Sequence, residues 1–353
     1  MKKTIYGGVL LAACSGLASA QSTVTIAGVM DLSARSVKNS LGTIKSLSSG
    51  NNSTSRLVFR GSEDLGGGLK ASFWLESSIA ADTGAQGGGQ FWDRQSTVSL
   101  SGPFGEVRMG RDWTPVYYGF VFGDPWINVG VGSGSNFLSA TASTTYARAF
   151  ANPGLTTLSR SSNAIEYWLP PGLGGFYGHA MVAAGEAGNA SGAYKYSAVR
   201  LGWKGGPFDA AAYGGSTKVD ASGQNLKQTG VYGSYNFGAA TAMLSITNSD
   251  YRGSKQTHLM GGVRAILGEW VLKASYNKLD QKGVDAAGAS ISANDASQFA
   301  LGADYLLSKR TALYASAARL SNKGAARFAI PIFTPVAPGS SSSGYEAGIR
   351  HSF

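Results

Sequence analysis

The last ten residues of the chain, Gly344-Tyr-Glu-Ala-Gly-Ile-Arg-His-Ser-Phe353, carry a clear alternating pattern. Successive side chains of a strand point to opposite faces. One face therefore carries Tyr345, Ala347, Ile349, His351 and Phe353. The other carries Glu346, Gly348, Arg350 and Ser352. A face suited to lipid opposite a face suited to water is typical of a transmembrane β-barrel strand, so the sequence predicts a barrel that closes on this terminal strand.

The other end of the chain has the pattern of a secretory signal peptide. Lys2 and Lys3 precede an apolar run over residues 5–17, and Ala18-Ser19-Ala20 is the small-x-small motif cut by signal peptidase. We therefore expect residues 1–20 to be a signal peptide and residues 21–353 to form the barrel.

A second cleavage pattern lies inside the same segment. Leu11-Ala12-Ala13-Cys14 also fits a lipoprotein box, which would leave Cys14 as a lipidated N-terminus. The site at residues 18–20 is favoured because it directly precedes a strand and a barrel needs no lipid anchor. Cleavage there leaves no cysteine, so neither disulfides nor thiol chemistry are expected.

The composition favours one large sheet. The 353 residues include 50 glycines and 16 tyrosines, only 14% are charged, and the mean hydropathy is −0.05. No apolar run of 18 residues follows the signal peptide, which excludes an α-helical membrane protein. The formal net charge of +10 does not indicate nucleic acid as a partner, because the basic residues are scattered singly and form no binding motif.

Short turns and longer loops alternate along the chain, as expected for hairpins. The tight turns fall at 64–68, 102–105, 170–175, 205–207, 237–239, 267–269 and 307–310. Longer loops fall near 37–54, 81–93, 112–159, 186–194, 219–225, 250–255, 281–295 and 321–343. These seven turns and eight longer loops join sixteen strands, with both termini on the short-turn side. The sequence thus predicts an all-β protein, a 16-stranded antiparallel transmembrane β-barrel with short periplasmic turns and long extracellular loops. The alternative, a soluble β-sandwich, explains the small polar residues on alternate positions less well.

Several segments resemble the Gram-negative general porins of the β-proteobacterial branch, which includes Burkholderiales and Neisseria. The resemblance covers essentially the whole mature chain. The segments that carry it are Ser22–Asp31, Ser55–Ala71, Arg94–Leu100, Phe104–Pro115, Arg160–Tyr167, Gly174–Phe176, Leu307–Tyr314 and Gly348–Phe353.

The resemblance implies a homotrimer in the outer membrane of a Gram-negative cell. Its expected partners are outer-membrane lipid and lipopolysaccharide, and the barrel-assembly machinery through the terminal Phe353. It also implies that the third loop, residues 112–159, folds into the barrel and narrows it, with Asp124-Pro-Trp126 matching a family block. Asp124 would place a carboxylate on this loop; the alternative is a simple turn cap. A short helix is expected around residues 137–150 of the same loop.

In this family a cluster of arginines lies on the barrel wall opposite the third loop. Residues that alternate with outward apolar side chains face the lumen. By this test the inward charged residues are Arg56, Arg60, Arg108, Arg160 and Glu166. The direction of Arg94 is ambiguous. Alternation with Val98 and Leu100 places Arg94 outward and Gln95 inward, but the alternation is often irregular at the start of a strand. The predicted constriction comprises Arg56, Arg60, Arg94, Arg108, Asp124, Arg160 and Glu166.

Fixed arginines in a narrow pore attract anions and repel cations. We therefore expect passive diffusion of small hydrophilic solutes, with a bias toward small anions and no cofactor or metal. Alternatives are a substrate-specific channel for an organic anion or sugar, built on loop aromatics such as Trp113 and Tyr118, and a structural or adhesive protein. No catalytic motif is present and the three histidines, His179, His258 and His351, are far apart, so an enzyme is not expected.

Overall fold

The structure, a computed structural model, describes residues 23–139, 142–150, 157–185, 194–219, 224–332 and 334–353. The predicted signal peptide lies outside these residues. The described chain forms one closed sheet with short helices inside it. Among these residues, no helix is long and apolar enough to cross a membrane.

All strand pairs in the sheet are antiparallel. The strands are β1 Thr23–Asn39, β2 Gly42–Ser49, β3 Arg56–Gly66, β4 Leu69–Ala80, β5 Ala85–Gln86, β6 Gln95–Gly102, β7 Gly105–Trp113, β8 Arg160–Trp168, β9 Phe176–Ala183, β10 Lys195–Gly205, β11 Phe208–Lys218, β12 Asn225–Asn236, β13 Ala240–Tyr251, β14 Ser254–Leu267, β15 Trp270–Gly283, β16 Ala296–Leu306, β17 Thr311–Asn322 and β18 Ser342–Ser352. Of these eighteen, β2 and β5 lie in loops, which leaves sixteen in the wall. The predicted sixteen-stranded antiparallel barrel is confirmed.

The barrel closes where β18 pairs with β1. The register runs from Val29 opposite Ser352 to Lys38 opposite Ser343. The terminal Phe353 extends this ladder, because its N–H donates to the Gly28 carbonyl at 3.1 Å and its carbonyl accepts from the Gly28 N–H at 3.0 Å. Closure removes both sheet edges, which would otherwise expose unpaired backbone groups to lipid.

Side chains on the terminal strand alternate as the sequence indicates. Tyr345, Ile349 and Phe353 are 59%, 47% and 48% exposed on the outer face, whereas Glu346 is 4% exposed inside the barrel. The polar inner face and apolar outer face of this strand match the arrangement of a wall between lipid and water.

The short turns lie where the sequence predicts them. Two segments predicted as longer loops have a different structure. Residues 250–255, expected as a longer loop, form a tight turn at Arg252–Gly253, where φ is 50° and 78°. Such positive φ values are typical of two-residue hairpin turns. The first loop, expected over residues 37–54, is largely occupied by β2, which pairs with the upper half of β1. That end of the barrel wall is therefore extended by a regular hairpin.

Between β7 and β8, the described residues 114–139, 142–150 and 157–159 lie inside the barrel. They contain α1 Pro115–Phe122, a 3-10 helix Gly134–Phe137 and α2 Thr144–Ala149. The sequence indicated a helix only near residues 137–150. It did not reveal α1, whose side chains are apolar or aromatic on all sides, so no amphipathic period marks it. Thr114 caps α1 by accepting the Tyr117 N–H at 3.3 Å, and Pro115 occupies its first turn.

This loop packs against one side of the inner wall through three buried clusters. The first joins Trp126, Val131 and Phe137 to residues of β15 to β17 and the last loop. The second joins Tyr146 and Phe150 to residues that include Leu226 and Tyr251. The third joins Val116 of α1 to Ala211, Tyr213 and Tyr232. Gly119 allows the close approach of α1, because a Cβ at this position would collide with the ring of Tyr213.

We predict that Gly28→Ala weakens barrel closure. A Cβ on Gly28 would collide with the Phe353 ring and lie 2.7 Å from the Arg56 carbonyl oxygen. Overpacking of this kind costs about 1–3 kcal/mol. The midpoint of thermal unfolding, followed by heat-dependent gel mobility, should fall. Gly233→Ala is the matched control, since a Cβ there meets no atom closer than 4.0 Å. Equal midpoints for the two variants would contradict the prediction.

Candidate functional site

The lumen contains a cavity of about 770 Å³ between the third loop and the wall formed by β1, β3, β4, β6 to β8 and β18. Charged and aromatic side chains line it: Arg56, Arg60, Trp74, Glu76, Arg94, Arg108, Asp112, Trp113, Tyr117, Tyr118, Arg160 and Arg350. The lining thus has six arginines and two carboxylates, a difference of four positive charges.

Glu76 on β4 connects two of these arginines. Its carboxylate forms an ion pair with Arg94 Nε and lies 3.5 Å from Arg56 Nε. Trp74 Nε1 donates to the same carboxylate at 3.1 Å. Glu76 therefore fixes the positions of both guanidinium groups and cancels part of their charge.

Asp112, at the end of β7, organises a second group. It accepts from Arg108 Nη1 at 2.5 Å and from Gln95 Nε2 at 3.1 Å, while its other oxygen accepts the Trp113 N–H at 2.7 Å. Arg108 also pairs with Glu106 at 3.1 Å and lies over the Trp168 ring. Arg108 is thus neutralised more completely than the other cavity arginines.

The remaining contacts of Arg56, Arg60 and Arg160 are with uncharged groups. Arg160 Nε donates to the Arg94 carbonyl at 2.7 Å, and its guanidinium lies over the Trp113 ring at 5.5 Å. Arg56 Nη1 donates to the Thr54 carbonyl at 2.9 Å. Arg60 lies over Trp74 at 5.2 Å. Carbonyl oxygens and ring faces orient these side chains without removing their positive charge.

All five predicted arginines therefore lie at the cavity. Arg94 precedes β6, which begins at Gln95, so strand parity does not govern it, and both residues reach the lumen. A register shift between β7 and β8 falls between Arg160 and Ile165. The outward direction of Ile165 therefore does not fix the direction of Arg160. Its position at the cavity is established by its contacts and could not have been derived safely by counting alternate residues.

The two predicted carboxylates lie elsewhere. Asp124 is 1% exposed inside the loop and accepts the N–H groups of Trp126, Asn128 and Gly134 at 2.9, 3.1 and 2.9 Å. It is the turn cap that the sequence left as an alternative, and burial raises its pKa to about 6. Glu166 is 2% exposed, accepts from Trp168 Nε1 at 2.9 Å and does not line the cavity.

Sequence reasoning missed the carboxylates that do reach the arginines, Glu76 and Asp112. Glu76 could have been found, because it alternates with the apolar Phe73 and Leu75 and so shares the inward parity of Trp74. Arg350 was placed on the lumen face of the last strand without being assigned to the site. Asp112 carries no comparable signal, since β7 is irregular between Gly110 and Asp112.

The aromatic residues near the start of the third loop divide into two groups. Trp113, Tyr117 and Tyr118 line the cavity. Phe120 and Trp126 are 2% and 3% exposed and pack the loop against the wall. Some of the loop aromatics therefore present their rings to the cavity, and others hold the loop against the wall.

Comparisons with known proteins identify the family of this chain. A family model described as a Gram-negative porin matches residues 8–325. Outer membrane porin protein 32 of Delftia acidovorans is 35% identical over 370 residues, with 100% of both chains covered. The major outer membrane protein P.IB of Neisseria meningitidis serogroup B is 26% identical over 369 residues, also with 100% of both chains covered.

Comparison with solved structures also identifies porins. An anion-selective porin from Comamonas acidovorans matches with a TM-score of 0.80 at 32% identity, over 94% of this chain and 100% of that one. The trimer form of OmpT from Vibrio cholerae shares the fold, with a TM-score of 0.65 at 15% identity over 94% of this chain and 99% of that one. A closed sixteen-stranded barrel with a loop in its lumen, together with these matches, shows that the chain belongs to the Gram-negative porin family and is an integral protein of the outer membrane.

Proposed function

We propose that this porin conducts small hydrophilic solutes passively and favours anions, with no catalytic step. The observation that carries the proposal is the excess of arginines over carboxylates around the cavity. Arg56, Arg60, Arg94, Arg108 and Arg160 act on the permeating ion, while Glu76 and Asp112 hold guanidinium groups in place. Asp124 and Glu166 contribute to the loop and the wall behind it.

The expected bias follows from electrostatics. Fixed positive charges in a narrow passage with low-dielectric walls raise the local concentration of anions and lower that of cations. Guanidinium groups suit this role because they stay charged at every physiological pH and are weakly hydrated. A mixed ring also binds each anion only loosely, so that ions leave as readily as they enter. The relative described as anion-selective supports the same direction.

We further propose that residues 1–20 are removed on export, that the chain assembles as a homotrimer, and that residues 112–159 act as the constriction loop. The barrel would contact outer-membrane lipid and lipopolysaccharide, and the barrel-assembly machinery would recognise Phe353. The exposed terminal strand face and the position of Phe353 at the seam are compatible with these roles. Native gels with chemical crosslinking test the trimer, since only monomers would appear if it were absent.

The anion bias should depend on Arg56 and Arg160. In water, one unit charge about 7 Å from an ion changes its energy by about 0.6 kcal/mol, so Arg56→Ala or Arg160→Ala should each lower the anion-to-cation permeability ratio by about two- to five-fold. The measurement is the zero-current potential of a planar bilayer under a potassium chloride gradient. Arg319→Ala is the control, because Arg319 is exposed on the outer face of β17.

A wild-type potential that favours potassium would overturn the proposed anion bias. An unchanged potential in both cavity variants would show that these two arginines do not set it. The absence of any conductance from the purified, folded barrel would favour the structural or adhesive alternative.

Glu76→Gln should have the opposite effect. Removing the carboxylate that pairs with Arg94 and Arg56 leaves one more uncompensated positive charge at the cavity. We expect the anion-to-cation permeability ratio to rise by about two- to five-fold in the same assay. Glu63→Gln, on the outward face of β3, is the matched control. A ratio that falls in Glu76→Gln would mean that Glu76 acts mainly by holding the arginines in the passage.

A second candidate function is facilitated diffusion of an organic anion. It is favoured by the position of Trp113, Tyr117 and Tyr118, which present ring surfaces beside the arginines. Current noise and partial block measured with benzoate distinguish the two functions. A general pore conducts with little block, whereas a selective site saturates at low concentration.

A further inference from the structure

A buried cation contacts helix α1 without lining the cavity, and the proposed function gives it no role. Arg200 on β10 is 5% exposed, and its Nε and Nη1 atoms have no hydrogen-bond partner among the described residues. Burying a charged group without hydrogen bonds is costly, so such a residue needs a compensating interaction.

Aromatic rings supply that interaction. The guanidinium lies 4.9 Å from the Tyr118 ring centre and 5.4 Å from that of Phe122, both on α1. On the wall side it lies 5.3 Å from the Tyr177 ring. The negative face of an aromatic ring attracts a cation, and the attraction is stronger where water is excluded. Arg200 therefore joins the constriction helix to the barrel wall.

A histidine beside Arg200 extends this contact. His179 is the cross-strand neighbour of Arg200 and is stacked on Trp168, with ring centres 3.9 Å apart and planes 4° from parallel. The edge of Tyr118 meets the His179 ring at 5.0 Å. Arg200 and His179 thus both contact the Tyr118 ring and fix its position.

The same tyrosine reaches the pore. Tyr118 packs edge-on against Trp113 at 5.1 Å, and the Trp113 ring lies under the guanidinium of Arg160. A continuous series of contacts therefore runs from Arg200 through Tyr118 and Trp113 to Arg160. Each step is a packed, oriented contact, so a displacement at one end is transmitted to the next ring.

We propose that Arg200 is a positioning residue for the constriction: it sets the position of Arg160, and thereby the ion selectivity, through Tyr118 and Trp113. The proposal rests on the proposed function, because it assigns to Arg200 an indirect part in the same anion bias. It concerns a residue that does not line the cavity.

The test uses bilayer recordings of the full-length barrel with three single variants and one double variant. Arg200→Met removes the charge and the planar group, Arg200→Lys keeps the charge but loses the planar group, and Tyr118→Leu removes the connecting ring. Both Arg200 variants should shift the anion-to-cation permeability ratio by at least about half the shift caused by Arg160→Ala, because lysine does not reproduce the stacked geometry. The double variant Arg200→Met/Tyr118→Leu should match Tyr118→Leu alone.

Two controls separate this effect from misfolding and from a general loss of charge. Heat-dependent gel mobility reports whether each variant forms a folded barrel. Arg264→Met removes another inward arginine, on β14 opposite Lys273, and should leave the ratio near that of the wild type.

Three results would overturn the proposal. One is a wild-type ratio in Arg200→Met. Another is a wild-type ratio in Arg200→Lys with a shifted one in Arg200→Met, which would show that the charge acts directly through space. The third is an additive effect in the double variant, which would show that Arg200 does not act through Tyr118. An absence of anion bias in the wild type would instead contradict the proposed function.

Discussion

Every other feature of this protein depends on the hydrogen bonding that joins β18 to β1. In the hydrocarbon core no water is available to satisfy an open strand edge, and each unpaired backbone group costs several kcal/mol. The ladder from Lys38 to Gly28 closes the sheet and meets that requirement. Because the backbone N–H and C=O groups form their hydrogen bonds within the wall, the side chains that face the lumen can be polar. A chain with mean hydropathy near zero can therefore occupy a membrane.

Closure also creates the interior in which charge becomes effective. The third loop packs against the inner faces of β11 to β17 and confines the open passage to the opposite wall. Arginines on that wall act across a short distance, with protein rather than bulk solvent on most sides. Carboxylates, carbonyl oxygens and indole rings hold them in defined positions. Selectivity in this porin is therefore a property of the loop and the wall together.

Much of the fold could be predicted from the sequence because it follows from a two-residue period and from turn chemistry. The terminal strand, the short turns and the inward direction of Arg56, Arg60 and Arg108 all depend only on local rules. Where those rules stop, the sequence left the direction of Arg94 ambiguous, missed Asp112 and assigned Asp124 to the constriction. Arg94 precedes its strand, β7 is irregular before Asp112, and Asp124 is committed to backbone N–H groups that no local pattern identifies. Helix α1 was missed because a segment that is apolar all round has no period.

The buried clusters between the third loop and one side of the wall imply two different mutational regimes within one barrel. Inward residues of β11 to β17, such as Tyr213 or Leu320, are packed on all sides like the core of a globular protein. Substitutions there are constrained by volume and by hydrogen-bond satisfaction. Cavity-lining residues of β3 to β7, such as Arg60 and Glu76, are instead constrained mainly by charge. Substitutions that change permeability without disturbing the fold are therefore expected mainly on one arc of the circumference, while the remaining arc holds the third loop in place.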